Sequence, residues 1–133
     1  MTAIVAAAAS SWNGGIAAQT ATAPFTQDQV DAGRYDYLTN CSSCHGKELS
    51  SATAPALTGK FFSASWSKHT IADLFTYIQS KMPHGQGGTL SDDTYANIVA
   101  FILSKNGAKA GNEPLTATTS AKIGEIVSGG PVK

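Results

Sequence analysis

Three stretches of the chain place apolar residues at helical spacing. In the first, Val30, Gly33, Tyr37, Leu38 and Cys41 fall on one side of a helix that begins at Thr26. Gln29 stands three residues after Thr26, the spacing of a capping box. Asp28 and Asp31 sit where the helix dipole favours negative charge. Gly33 inside this helix costs about 1 kcal/mol relative to alanine, and close approach of another helix would explain it. In the second stretch, Ile71, Leu74, Phe75 and Ile78 repeat at i, i+3, i+4 and i+7 behind Thr70, a capping residue. Met82 continues this stripe in number, but Pro83 follows and pushes it out of the α region. The spacing therefore predicts Met82 just past the helix end, before a loop rich in glycine (Gly85, Gly87, Gly88). In the third, Ser91 caps a helix with Asp92 and Asp93 in its first turn. Tyr95, Ile98, Val99 and Ile102 form the stripe with Phe101 beside it, and Asn106-Gly107 ends it.

Outside these stretches the pattern fades. Residues 46–59 read as a turn-rich loop. The flanks are rich in Ala, Ser, Thr and Gly, which divides the chain into 1–25, a signal-like or flexible arm; 26–107, the folded domain; and 108–133, a low-complexity tail expected to pack loosely or stay disordered. A short amphipathic turn around Ile123, Ile126 and Val127 is the one structured feature expected in that tail. The N-terminal segment is apolar like a secretory signal but lacks a basic start, since the first cation is Arg34. A length of 133 residues is one domain. No run is long enough to span a bilayer. Charged residues are 14% and the formal net charge is zero, which gives no argument for nucleic acid binding. A core confined to 26–107 is small, and small cores need a staple.

The chemistry that could supply one lies at Cys41-Ser42-Ser43-Cys44-His45. This is C-x-x-C-H, in a chain with two cysteines in all. Two thiols at this spacing can add to the two vinyl groups of a haem, and the adjacent histidine can reach the iron from below. A thioredoxin-like dithiol would require a βαβ setting, whereas a helical pattern runs into this motif. A zinc site would need further ligands, for which His69 and His84 are the candidates, and neighbouring Cys44 and His45 would struggle to share one small ion. The reading is one haem c, covalent through Cys41 and Cys44, with His45 as an iron ligand. The candidates for the sixth ligand are Met82, His69 and His84. Met82 is favoured because it begins a loop well downstream of His45 and can turn its thioether inward; core filler is its bland alternative. In Ala54-Pro55-Ala56-Leu57, a rigid proline loop can aim a carbonyl at the unligated nitrogen of His45; an ordinary loop proline is the equal alternative.

These residues resemble class I c-type cytochromes over 26–107. Gly33, Tyr37 and Cys41 look like that family's first helix, and Phe101 its aromatic partner in the last helix. Pro55 resembles the proline whose carbonyl holds the proximal histidine, Leu57 its haem-packing neighbour, and Met82-Pro83 the distal methionine. More narrowly, Trp66, the run from Thr70 to Pro83 and Asn97-Ile98-Val99-Ala100-Phe101-Ile102-Leu103 are similar to the haem domains of quinohaemoprotein (PQQ-dependent) dehydrogenases. There a tryptophan like Trp66 lies near the haem propionates; a core tryptophan is the alternative. The resemblance implies an all-α cytochrome c fold with three main helices around one haem. It also implies an electron carrier, not an enzyme, that takes electrons from a dehydrogenase and passes them to an oxidase or another cytochrome. Thioether formation implies the periplasm or the cell exterior. The lysines Lys47, Lys60, Lys68 and Lys81 outnumber the acids Glu48 and Asp73 between Cys41 and Leu90, a hint of steering toward an acidic partner against the alternative of a merely solvated surface. The rival functions are a haem enzyme or gas sensor with a labile distal site, and a haem-conducting assembly joined through the tails.

Overall fold

The computed structural model describes residues 22–127, and the signal-like segment lies almost wholly outside them. Five helices follow in order: α1 Gln27–Asn40, α2 Ser42–His45, α3 Gly59–Trp66, α4 Ile71–Lys81 and α5 Asp92–Lys105, then a single 3₁₀ turn at Ile123–Glu125. Among the described residues there is no strand beyond two isolated bridges, Ala23 with Ala110 and Thr70 with Lys122. The expected N-terminal caps are present. Thr26 and Gln29 exchange the two bonds of a capping box, as do Thr70 and Asp73, and the Ser91 hydroxyl accepts from the Thr94 amide. Sequence spacing missed α3, which begins where the expected loop of residues 46–59 ends and runs to Trp66 through a stretch assigned no element.

The α1–α5 crossing is the frame of the molecule. A Cβ on Gly33 would lie 1.9 Å from the Asn97 carbonyl oxygen and 2.9 Å from the Phe101 Cβ, so glycine is the residue that lets the two backbones touch. One turn on, Tyr37 and Phe101 pack with ring centroids 5.4 Å apart. The α1 stripe is narrower than its spacing suggested. Gly33 and Tyr37 are buried, while Leu38 is 38% exposed on the rim. In α5, by contrast, burial extends past the expected stripe to Ala96, Ala100 and Leu103, because α1 and α4 cover different sides of it. All four stripe residues of α4 are buried.

The picture of a loose tail needs correction over 108–127. Leu115 and Ile123 are completely or almost completely buried, and Ala108, Ile126 and Val127 join the same core. The segment runs as a strap across the domain. The Gln29 side chain holds it at both polar atoms, accepting from the Leu115 amide at 2.8 Å and donating to the Leu115 carbonyl at 3.0 Å. Further on, the carbonyls of Thr119 and Ala121 accept from the Ala72 and Ile71 amides. These are first-turn amides of α4, which have no partner within their own helix. The strap thus completes the start of the helix that ends at Met82. Small polar residues hide this role, because backbone groups and a few spaced apolar anchors carry it.

Candidate haem site

The C-x-x-C-H motif occupies the corner after α1. The Cys41 amide still bonds the Tyr37 carbonyl at 2.8 Å, and α2 then carries Cys44 and His45 for one turn. Gly46 ends that turn at φ 88°, and a Cβ there would strike the Ser50 carbonyl at 2.1 Å. The Tyr37 hydroxyl, from inside the α1–α5 crossing, donates to the Gly46 carbonyl at 2.7 Å. Ser51 and Thr53 hydroxyls donate to the Cys44 carbonyl. The motif is therefore tied on both sides to groups that do not move independently of the core. Burial pushes the Tyr37 hydroxyl up to about 12, with a smaller push from Cys41. Burial likewise pushes the free Cys41 thiol up to about 11, with Asp36 and Cys44 adding to it.

His45 is buried, and its Nδ1–H donates to the Pro55 carbonyl at 3.0 Å. A carbonyl can only accept, so the hydrogen of this bond sits on Nδ1, which leaves Nε2 as the ring nitrogen available to a metal. The loop that supplies this carbonyl is itself fixed. The Leu57 amide donates to the Leu49 carbonyl at 2.8 Å, and Leu49 is buried at φ 65°. The Asn106 side chain donates to the Leu57 carbonyl and the Ile102 carbonyl, both at 2.9 Å, and accepts from the Gly59 amide at 3.2 Å. Asn106 was legible only as a helix stop. Its second role, holding the proline loop onto the end of α5, depends on a partner some fifty positions away and left no mark in the local pattern.

Cys41, Leu57, Trp66 and Met82 share a condition: each packs on the core yet stays half exposed. Cys44 and Pro55 are exposed. Met82 follows α4 in extended conformation, φ −122° and ψ 150°, with its amide still bonded to the Ile78 carbonyl at 2.8 Å. Of its competitors, His84 is exposed, and His69 stands on the surface with its Nδ1 3.5 Å from the Asp73 carboxylate. Trp66 meets His69 and Tyr77 edge-on at 5.3 and 5.4 Å between ring centroids. Among the described residues nothing accepts a hydrogen bond from its indole. Also among the described residues, no three His, Cys, Asp or Glu side chains gather as a metal cluster, which removes the third ligand that a zinc site would require. The donor set has instead the chemistry of a covalently held haem: two thiols beside a histidine whose Nε2 is free, and an apolar, half-covered set of side chains suited to a flat apolar partner.

Among the described residues no helix is long and apolar enough to cross a membrane. Among solved structures, the chain is similar to the sulfane dehydrogenase SoxCD from Paracoccus pantotrophus, with 26% identity and a TM-score of 0.55 over 86% of this chain and 64% of that one. A search of curated proteins finds no match. Residues 28–102, from the first turn of α1 to the buried face of α5, match the family described as cytochrome c oxidase, cbb3-type, subunit III. That span encloses the thiol pair, the histidine and the helix crossing that holds them, and so the chain belongs to this c-type cytochrome family, in which haem carries electrons.

Proposed function

We propose that the protein is a single-haem electron carrier with histidine and methionine as iron ligands. Cys41 and Cys44 would hold the group by thioethers, and His45 Nε2 and Met82 would ligate its iron. When bound, the haem supplies a one-electron couple between ferric and ferrous iron. The chain's part is to keep both ligands in place in both states and to keep water away. The observation that carries this reading is the His45–Pro55 hydrogen bond. It occupies Nδ1, orients the ring and makes Nε2 a better donor. Leu57 is proposed to cover the ring. The indole N–H of Trp66 is proposed as a donor for a propionate. Met82 is favoured over His69 and His84 because it is partly buried against the core, whereas both histidines are exposed.

We take the working unit to be the helical domain together with its strap, residues 22–127. The donor is proposed to be a dehydrogenase, a reading supported by the likeness to a protein titled as one. The acceptor is proposed to be an oxidase or another cytochrome, in the periplasm or outside the cell. The test is direct. The intact protein should weigh one haem more than its polypeptide and keep its colour in acidified organic solvent. Ferrous Met82→Ala should bind carbon monoxide readily where the wild type does not. Equal binding by the two would refute the methionine ligand, and release of the pigment would refute the thioethers.

A further inference from the structure

We infer that Tyr95 is a positioning residue for the distal ligand: its hydroxyl fixes the backbone of Met82 and so governs how readily the thioether leaves the iron. This rests on the reading of Met82 as the sixth ligand. Tyr95 is fully buried in the first turn of α5 and packs edge-on against Phe75 of α4, with ring centroids 6.3 Å apart. A phenylalanine could make that contact equally well. What the hydroxyl adds is a set of bonds to one segment, residues 82–90. It donates to the Met82 carbonyl at 2.8 Å and accepts from the Gly88 amide at 3.1 Å and, more weakly, the Leu90 amide at 3.4 Å.

Met82 is thereby held from both sides of its Cα. Its amide belongs to the last turn of α4, and its carbonyl is bound from α5. The rest of the segment folds back onto the same helix ends. The Gly88 amide also donates to the Gln79 carbonyl at 2.7 Å, and Gln79 donates to Asp92 at 2.6 Å. Gly87 sits so close to Ser80 that a Cβ would meet its carbonyl oxygen at 2.0 Å. Among the described residues, the Tyr95 hydroxyl is the one side-chain group bonded both to Met82 and to the far end of its loop. Detaching the thioether by moving this segment requires breaking the bond to the Met82 carbonyl. Without the hydroxyl that carbonyl gains nothing by staying closed, and the open form becomes more populated.

The experiment compares wild type, Tyr95→Phe, Met82→Ala and Gln29→Ala as holoproteins. Gln29→Ala removes the two bonds to Leu115 and the capping-box bond from the Thr26 amide, and serves as a destabilised control remote from Met82. Read-outs are the rate of carbon monoxide binding to the ferrous form, the sulfur-to-iron charge-transfer band of the ferric form, and the unfolding midpoint. Tyr95→Phe should bind carbon monoxide roughly tenfold faster than wild type, the factor expected for one buried hydrogen bond. It should also lose the band on warming well before it unfolds, and Gln29→Ala should do neither. A Tyr95→Phe rate equal to that of wild type, or matched by Gln29→Ala, overturns the inference while leaving the ligand reading intact. If wild type lacks the band and Met82→Ala behaves like it, the ligand reading fails first and the role of Tyr95 falls with it. Should Tyr95→Phe fail to take up haem, amide exchange in the wild type decides: a protected Leu90 amide, which donates to the Tyr95 hydroxyl, supports the closed segment, and one that exchanges as freely as an unfolded chain overturns it.

Discussion

Adding one methyl group at Gly33 should cost more stability than removing one from its neighbour. The Cβ of Gly33→Ala would lie 1.9 Å from the Asn97 carbonyl oxygen and 2.5 Å from its carbon. Both are backbone atoms of α5, so no side-chain rotation relieves the collision. Reaching ordinary contact requires the helices to part by roughly 1.5 Å at this point. A gap of that size forfeits much of the dispersion energy of the contacts around it, including the Tyr37–Phe101 pair. Overpacking of this kind costs about 1–3 kcal/mol, and a backbone collision belongs at the upper end. Alanine returns about 1 kcal/mol through helix propensity. The net loss is therefore about 2 kcal/mol, which lowers the melting temperature by roughly 8 °C in a domain of this size. Ala32, exposed on the same helix, supplies the comparison, because Ala32→Gly should lose only the propensity term of about 1 kcal/mol. Guanidinium unfolding followed by far-ultraviolet circular dichroism measures both. A Gly33→Ala midpoint equal to or above that of wild type would refute the close crossing.

Asn106→Ala should cost about 1–3 kcal/mol, because it strands the Leu57 carbonyl and frees the Gly59 amide. The same change should speed exchange of the His45 Nδ1 proton, which magnetic resonance would detect, since the loop carrying Pro55 loses its tie to α5. Ending the chain after Gly107 should remove on the order of 5 kcal/mol, as Leu115, Ile123, Ile126 and Val127 leave the core and α4 loses two acceptors at its start; a truncated protein that unfolds at the wild-type midpoint would show that the strap is dispensable. Asp73 is held below the usual carboxylate value chiefly by the Thr70 amide; desolvation opposes this, and the Thr70 hydroxyl and His69 add smaller help. A depressed value in the folded state stabilises at pH above the unfolded carboxylate value and loses that contribution as pH falls through the folded one. The stability gap between wild type and Asp73→Asn should accordingly be widest near neutrality and shrink below about pH 4, as denaturant midpoints across that range will show.

The parts legible in the sequence are those in which one residue type answers one local demand. C-x-x-C-H, the Thr26–Gln29 box, the Ser91 cap and the apolar stripes of α4 and α5 are satisfied within a turn or two of the chain, so spacing alone exposes them. Gly33 was readable only as one of two alternatives, tolerated drift or a neighbour's approach, and the contact with Asn97 decides for the second. α3 escaped because Gly59–Trp66 has a single fully buried residue, Phe62, and no stripe. The strap escaped for a different reason: 108–127 is held by a few widely spaced apolar anchors together with carbonyls and amides, which every residue has, so neither composition nor periodicity exposes it. Leu38 was misplaced by counting periodicity without asking which neighbour covers it.

The same distinction bears on how the proposed ligands are held. On the proximal side the histidine is oriented by Pro55, whose loop is tied to α5 by Asn106. On the distal side the methionine backbone is tied to α5 by Tyr95. Both restraints end on one helix, about three turns apart, and that helix is locked against α1 at Gly33. Displacing either proposed ligand through its backbone or loop would have to move Asn106 or Tyr95, both borne by the helix that is locked against α1. The α1–α5 crossing therefore acts on both ligands, although no residue at its centre needs to touch the haem. It follows that Gly33→Ala should disturb the charge-transfer band as well as stability, and Tyr95→Phe the band far more than stability. Opposite rankings for the two variants would mean that the ligands are held from elsewhere.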